Sequence, residues 1–247
     1  MSTETPPTAS TLEDYLDLLQ AFAEHGIDYV VIGGCAVGAY ARHLGETVFS
    51  NDLDLLVTQP ALDRVIAEAS SLGVVVEKVP QPRSVPVALL AWRQREVNLL
   101  TATQGLPPPD IEARSAREFE FEAGPRLAIL LADPFDLLRN KLAVNRPKDA
   151  PHSAILRRFI REEVVYAFKN ESDPRARIAP AERLLTVLDS PTLDEDLASR
   201  LIPLARSDVD FRFLAHRVPV ALLGRVLAGA PETCRADIAR IAHVRGA

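Results

Sequence analysis

Two aspartates separated by one leucine, Asp52 and Asp54 in Ser50-Asn51-Asp52-Leu53-Asp54-Leu55-Leu56-Val57, carry the chain's clearest chemical signal. In a strand, residues i and i+2 share a face with Cα atoms roughly 6–7 Å apart, so both carboxylates point at one place. Leu53, Leu55 and Val57 then project the other way into a core, which separates a dry face from a chemical one. Convergent carboxylates repel unless a cation lies between them, and hard oxygen donors of this kind select Mg²⁺ or Mn²⁺. Asp52 and Asp54 are therefore the candidate metal ligands.

Upstream, Ile27-Asp28-Tyr29-Val30-Val31-Ile32 reads as a buried strand that Gly33-Gly34 stops before a helix over Ala36–Leu44. Glycine allows an anion to approach the main chain closely, and the free N–H groups of a helix start supply donors and partial positive charge. A phosphate-sized turn beside paired carboxylates suggests metal-dependent chemistry on a nucleotide. Each half alone is ordinary, a tight turn and a wet strand face; their order and spacing give the combined reading its weight.

The elements that must position these residues follow from periodicity. An amphipathic helix over about Leu12–His25 presents Leu12, Tyr15, Leu16, Leu19, Phe22 and Ala23 to the sheet. Beyond the aspartate strand come a helix over Ala61–Ser71 ended by Gly73 and a strand over Val74–Val79. Strands over Val85–Trp92 and Glu96–Thr101 form a hairpin across Arg93-Gln94-Arg95. Trp92, the only tryptophan, reads as core or rim packing. After Pro107-Pro108-Pro109, a second hairpin joins Phe119–Glu122 to Arg126–Leu131. Helices are expected over Phe135–Asn145, His152–Lys169, Ala181–Leu188, Asp194–Ala205, Pro219–Leu227 and Glu232–Val244. The expected organisation is a core domain over 1–132 and a helical region over 133–247, divided into a basic segment, 133–170, and a small bundle, 171–247.

Arg139 to Arg161 contain seven Lys or Arg and one acid, Asp149, for a formal +6, whereas the whole chain is −6 and the remainder carries −12. Such asymmetry implies a local anionic partner, a triphosphate or an RNA end, in place of a generally basic coat. Lys141, Arg146 and Lys148 lie around the end of a helix broken at Pro147, where their heads can converge on one phosphate cluster. Arg157, Arg158 and Arg161 read as the wet face of a helix.

The order hydrophobic-Gly-Gly, helix, Ser-x-Asp-hydrophobic-Asp resembles the DNA polymerase beta-like nucleotidyltransferase superfamily, and within it the minimal bacterial branch that includes AbiEii-type toxins of toxin–antitoxin systems. The segment Asp133-Pro-Phe-Asp-Leu-Leu-Arg-Asn-Lys141-Leu-Ala-Val-Asn-Arg146-Pro-Lys148-Asp149 is similar to the helix and Lys-x4-Arg-Pro-Lys-Asp stretch of that branch. The likeness covers roughly 12–165. It implies an α+β fold, a nucleotidyltransferase-type mixed β-sheet flanked by helices and followed by a C-terminal helical region. It further implies that Gly33, Gly34 and Ser50 hold a nucleoside triphosphate with Lys141, Arg146 and Lys148. Asp52 and Asp54 would bind Mg²⁺ or Mn²⁺, and a substrate hydroxyl would attack the α-phosphate, with two ions stabilising the entering and leaving oxygens.

The family usually supplies a third carboxylate from a later strand, and here Asn98 in Arg95-Glu96-Val97-Asn98-Leu99-Leu100 stands in its place. An amide offers a carbonyl oxygen but neither negative charge nor a general base. Glu96 shares the face of Asn98 and would need a shifted or bulged strand to reach the ions. Three outcomes stay open: a transferase using Asn98 as a catalytic residue, one completed by Glu96 or a substrate phosphate, and a nucleotide-binding relic. The resemblance favours a toxin-like transferase acting on tRNA or protein, with a cognate antitoxin as partner. An inactive nucleotide-binding or antitoxin-like interaction protein and an antibiotic nucleotidyltransferase are the alternatives.

At 247 residues, 47% hydrophobic and 25% charged, the chain can bury a sizeable core and carry a smaller helical unit. No stretch approaches the roughly 18 uninterrupted apolar residues of a membrane span, and Met1–Ser10 lacks a charged-then-apolar signal pattern, so a cytoplasmic protein without a membrane partner is expected. Cys35 and Cys234 have no metal-ligand spacing; a helix start could lower the Cys35 pKa, although a small packed residue is the simpler reading. The five histidines form no metal motif, and His152 follows the basic turn closely enough to touch a phosphate. Neither a Gly-x4-Gly-Lys-Ser/Thr loop nor a Gly-x-Ser-x-Gly elbow is present, which argues against a P-loop NTPase or a serine hydrolase.

Overall fold

A three-residue strand of β-branched residues, β1 (Val30–Ile32), is buried throughout and organises the sheet on either side of it. The computed structural model describes residues 9–79, 87–106, 117–119 and 129–246. β1 pairs antiparallel with β2 (Asp52–Leu56) and parallel with β7 (Ile129–Leu131). β2 runs parallel to β5 (Arg95–Leu100), which forms an antiparallel hairpin with β4 (Val87–Trp92). The order of the mixed seven-stranded sheet is β3-β4-β5-β2-β1-β7-β6, with β3 spanning Val75–Lys78 and β6 Arg117–Phe119. With its flanking helices this is the expected α+β architecture.

The aspartate strand alternates as its sequence requires. Leu53 and Leu55 are fully buried while Asp52 and Asp54 keep partial access to solvent. Each buried leucine contributes about 1.5–3 kcal/mol, so a one-residue slip that exchanged the two faces would be strongly disfavoured. The β4–β5 turn places Arg93 and Gln94 at φ of 48° and 65°, the left-handed pair that matches the twist of a two-residue hairpin. Trp92 is buried against Tyr15, ring centroids 6.1 Å apart, and the Arg93 guanidinium lies 4.5 Å from its ring centre. Tyr15 ends a 3₁₀ turn over Leu12–Tyr15 that leads into α1 (Leu16–Glu24), so the expected single helix is two elements.

α2 spans Gly33–Arg42 and begins at the two glycines instead of after them. α3 (Gln59–Ala67), capped by Thr58, follows β2. β6 pairs antiparallel with β7, as the second expected hairpin requires, while the turn and the Pro107–Pro109 run lie outside the described residues. α4 (Pro134–Val144) is capped by Asp133, whose carboxylate accepts from the Phe135 N–H, and ends at Asn145 in the left-handed conformation, φ 49°. α5 spans Asp149–Asn170.

The chain divides into two compact units, Met1–Leu156 and Arg157–Ala247, with the division inside α5. The expected boundary at 132/133 thus lies within the first unit. Asn140 on α4 explains why: its amide donates to Thr103 Oγ1 at 3.2 Å and to the Gln104 carbonyl at 2.6 Å, tying the helix to the exit of β5.

The second unit holds α6 (Pro174–Val187), α7 (Glu195–Leu201), α8 (Asp208–Arg217), α9 (Leu223–Gly229) and α10 (Glu232–Val244). α6 starts seven residues before the expected Ala181, because Asp173 caps it and Pro174 suits its first position, leaving Pro180 inside. α8 lies outside every helix that the sequence predicts. Its signal is Ser207-x-x-Asp210, a reciprocal capping box hidden in a stretch that reads as punctuation. Arg161, expected to be solvated, pairs with Asp194 at 3.1 Å and with Asp196. Among the described residues, no helix is long and apolar enough to cross a membrane.

Candidate active site

Register brings the acidic residues together. Ile32 of β1 lies opposite Asp54, and across the parallel pair Asp54 faces Asn98 while Asp52 faces Glu96. The Asn98 amide nitrogen donates to both carboxylates, to Asp52 Oδ2 at 3.2 Å and to Asp54 Oδ1 at 3.1 Å. Ser50 Oγ donates to the other Asp52 oxygen at 3.0 Å. The β2–β5 register runs without a shift, so Glu96 stays one pleat out, exposed and off the cavity that Asn98 lines.

The glycines serve this cluster directly. A Cβ on Gly33 would lie 2.1 Å from Asp54 Oδ2, and one on Gly34 would lie 2.5 Å from Ser50 Oγ. Gly33 also adopts φ +70°, a conformation that side-chain-bearing residues rarely take. What approaches the main chain here is therefore the Asp54 carboxylate and the Ser50 hydroxyl, so the turn's lack of side chains is needed before any phosphate is considered. Hemmed in by this turn, Asp54 is pushed up to a pKa of about 6, by burial first and by the neighbouring Asp52 charge second, against the pull of Asn98, Lys141 and Arg146.

Lys141 and Arg146 converge too, on Asp149, the acid that closes the Lys-x4-Arg-Pro-Lys-Asp stretch and to which the sequence assigned no role in the site. Asp149 is nearly fully buried; its Oδ1 lies 3.2 Å from Lys141 Nζ, itself buried, and its Oδ2 accepts from Arg146 Nε at 2.8 Å. Burial alone would raise Asp149, but the Arg146 bonds and the Lys141 charge overcome it and hold the carboxyl well below the usual range. The Arg146 backbone N–H also donates to Asp149, at 3.3 Å, closing the turn broken at Pro147. An acid three residues after Arg146, ahead of a helix, was the available signal for this closure.

These groups line one cavity of about 380 Å³. Gly34, Ser50, Asp52, Asp54 and Asn98 line it together with Lys141, Arg146, Lys148, Asp149 and His152. Of the expected site residues only Gly33 is absent from the lining, being packed beneath Asp54. Phe49, Asn51, Val87 and Leu100, none of them expected, complete the lining. His152 Nδ1 is buried without a hydrogen-bond partner, and burial together with the Lys141 charge lowers the ring's pKa, favouring neutral imidazole. The Cys35 thiol is pushed up, by burial and then by the Asp54 and Asp52 charges; this removes the option of a helix-activated nucleophile.

The donor set suits a hard divalent cation. Two carboxylates share the cavity, and the rise in the Asp54 pKa, from burial first and the Asp52 charge second, marks an anion that a cation would stabilise. Among the described residues no group of three or more His, Cys, Asp and Glu gathers to hold a metal, so the set is two carboxylates and the Asn98 amide, whose oxygen would have to replace its nitrogen at an ion.

No family model matches the chain, and no curated protein does. Among solved structures the chain is similar to the lincosamide antibiotic adenylyltransferase LnuA with lincomycin bound, at 13% identity and a TM-score of 0.43 over 62% of this chain and 99% of that one. It is similar to ANT(2")-Ia in complex with adenylyl-2"-tobramycin, at 16% identity and a TM-score of 0.43 over 70% and 97% of the two chains. An antigenic nucleotidyltransferase-like protein from Paracoccidioides brasiliensis gives 15% identity and a TM-score of 0.36 over 85% and 96%.

Proposed function

We propose that the protein is a metal-dependent nucleotidyltransferase that moves a nucleoside monophosphate from an NTP to an acceptor hydroxyl. The observation that carries this reading is the convergence of Asp52, Asp54 and Asn98 in the cavity that Lys141, Arg146 and Lys148 also line. A Mg²⁺ or Mn²⁺ ion held by Asp52 and Asp54 would neutralise phosphate charge and polarise the α-phosphoryl group. Lys148 and the outer face of Arg146 offer charge to the remaining phosphates, while Lys141, locked on Asp149, contributes field and rigidity. The acceptor oxygen forms a bond to the α-phosphorus, the bond to the bridging oxygen breaks, and pyrophosphate leaves. Asn98 cannot take the hydroxyl proton. His152 is the neutral base lining the cavity.

The acceptor class divides this reading. The family resemblance of the core favours an AbiEii-like toxin acting on tRNA or protein in the cytoplasm, opposed by an antitoxin; an antibiotic-modifying transferase uses the same chemistry on a small molecule. A second reading, a nucleotide binder without turnover, draws on one specific observation: the Asn98 amide already satisfies an oxygen of each carboxylate without any ion.

Incubation with α-labelled ATP, CTP, GTP and UTP, Mg²⁺ or Mn²⁺, and in turn total tRNA, cell protein, an aminoglycoside and a lincosamide separates these versions. Label transfer lost in Asp52→Asn and Asp54→Asn supports the enzyme and names the acceptor. Tight NTP binding with no transfer to any acceptor supports the binder.

A further inference from the structure

Phe49 is 61% exposed, the only exposed phenylalanine among those whose side chains are described, and it lines the cavity that holds Asp52 and Asp54. Leaving a benzyl ring in water forgoes the burial its neighbours in the fold obtain. Neither the metal nor the phosphate chemistry uses it. Its place is set by Ser50, the next residue, whose hydroxyl is bonded to Asp52 at 3.0 Å and whose main chain is fixed by two hydrogen bonds with Ser10, each 2.8 Å. The ring is thus an apolar surface mounted on a rigid segment, three residues before Asp52 and five before Asp54. Val87 and Leu100, Cα partners on β4 and β5, add half-exposed apolar surface to the same cavity.

A nucleoside triphosphate whose α-phosphate lies at the carboxylates carries its base one ribose away, a flat π-face that must come out of water somewhere in or beside the cavity. The polar and charged lining groups suit phosphates and a cation; Phe49 is the flat apolar face in the same lining, three residues before Asp52. We propose that Phe49 is the platform on which the nucleobase of the NTP stacks, making it a substrate-binding residue of the site. The proposal rests on the nucleotide reading given above. Stacking uses the π-face that every base possesses, so it favours purines by area without fixing a base edge.

The test is calorimetric titration of the full chain, with Mg²⁺ present, by α,β-methylene analogues of ATP, GTP, CTP and UTP and by inorganic tripolyphosphate, for the wild type, Phe49→Ala and Phe49→Trp. Loss of the ring should weaken the purine analogues about tenfold, in keeping with the stacking observed for single bases, weaken the pyrimidines less, and leave tripolyphosphate unchanged. Phe49→Trp should retain or tighten purine binding. Wild-type affinity for purine analogues in Phe49→Ala, with tripolyphosphate still bound, overturns the stacking role alone and turns the ring toward the acceptor. Failure of the wild type to bind any of these probes overturns the stacking role and the nucleotide reading together.

Discussion

Asp210, in the second unit, is fully buried, and both of its oxygens are occupied. Oδ1 accepts from Arg177 Nε at 2.9 Å, and Oδ2 accepts from the Arg206 and Ser207 N–H groups at 2.9 and 3.0 Å. In the first unit, Asp52 and Asp54 crowd each other across a neutral amide, and the nearby cations Lys141 and Arg146 are engaged with Asp149. The first arrangement compensates a buried charge from within the fold, because an uncompensated one would be too costly. The second leaves charge for something from outside to balance. On the proposed reading, that difference separates a structural carboxylate, Asp210, from the two that would hold a cation.

The contrast breaks most sharply under substitution. Asp52→Asn and Asp54→Asn should each cut nucleotidyl transfer at least about 10⁴-fold, roughly 5 kcal/mol of transition-state stabilisation, while thermal unfolding shows stability unchanged or raised. A loss of transfer accompanied by collapse of the fold would place these residues with Asp210 instead. Arg177→Met should do the opposite: urea denaturation should report a loss of about 3–5 kcal/mol, because Asp210 is left charged, buried and short of its main partner.

Asn98→Asp probes the amide between the two acids. A third carboxylate should tighten Mn²⁺ by about tenfold, about 1.4 kcal/mol, and destabilise the metal-free protein by a similar amount, read by calorimetry and by unfolding with chelator. Raised transfer would show a site short of charge; unchanged transfer in an active protein would show that the amide suffices.

The smallest effect concerns pH. The folded pKa of Asp54, about 6, lies above its ordinary value of 3.8, so the folded protein binds the proton more tightly than the unfolded chain. Stability of the metal-free protein should therefore fall as pH rises from about 4 to about 6, where the favourable proton is shed. Mn²⁺ affinity should change in the other sense, weakening as pH falls through about 6, because the ion competes with that proton. Unfolding curves with and without Mn²⁺ across this range check both signs, and Asp54→Asn should flatten both.

Much of this was legible where one local pattern sufficed. Alternation at Asp52–Val57 specified the strand, its dry face and the shared face of the acids, and Arg93-Gln94 marked the hairpin that sets Asn98 beside them. The position of α10, Glu232–Val244, follows from Pro231 just ahead of it and from periodicity. What was not legible depends on long-range packing. Asp149 counts as one acid among seven cations until the fold buries it with Lys141, and Phe49 is an ordinary apolar residue until the sheet leaves it uncovered at the cavity. The sequence marks Gly33 and Gly34 as positions a phosphate could approach, and the groups that approach them in the fold are Asp54 and Ser50.

The most direct test of the central claim is a Mn²⁺ titration followed by electron paramagnetic resonance in the presence of α,β-methylene-ATP, comparing the wild type with Asp52→Asn and Asp54→Asn. The account predicts that the wild type holds the ion with its nucleotide and that each substitution weakens the ion about 100-fold or more, while the fold persists. Equal Mn²⁺ binding by all three proteins would contradict it.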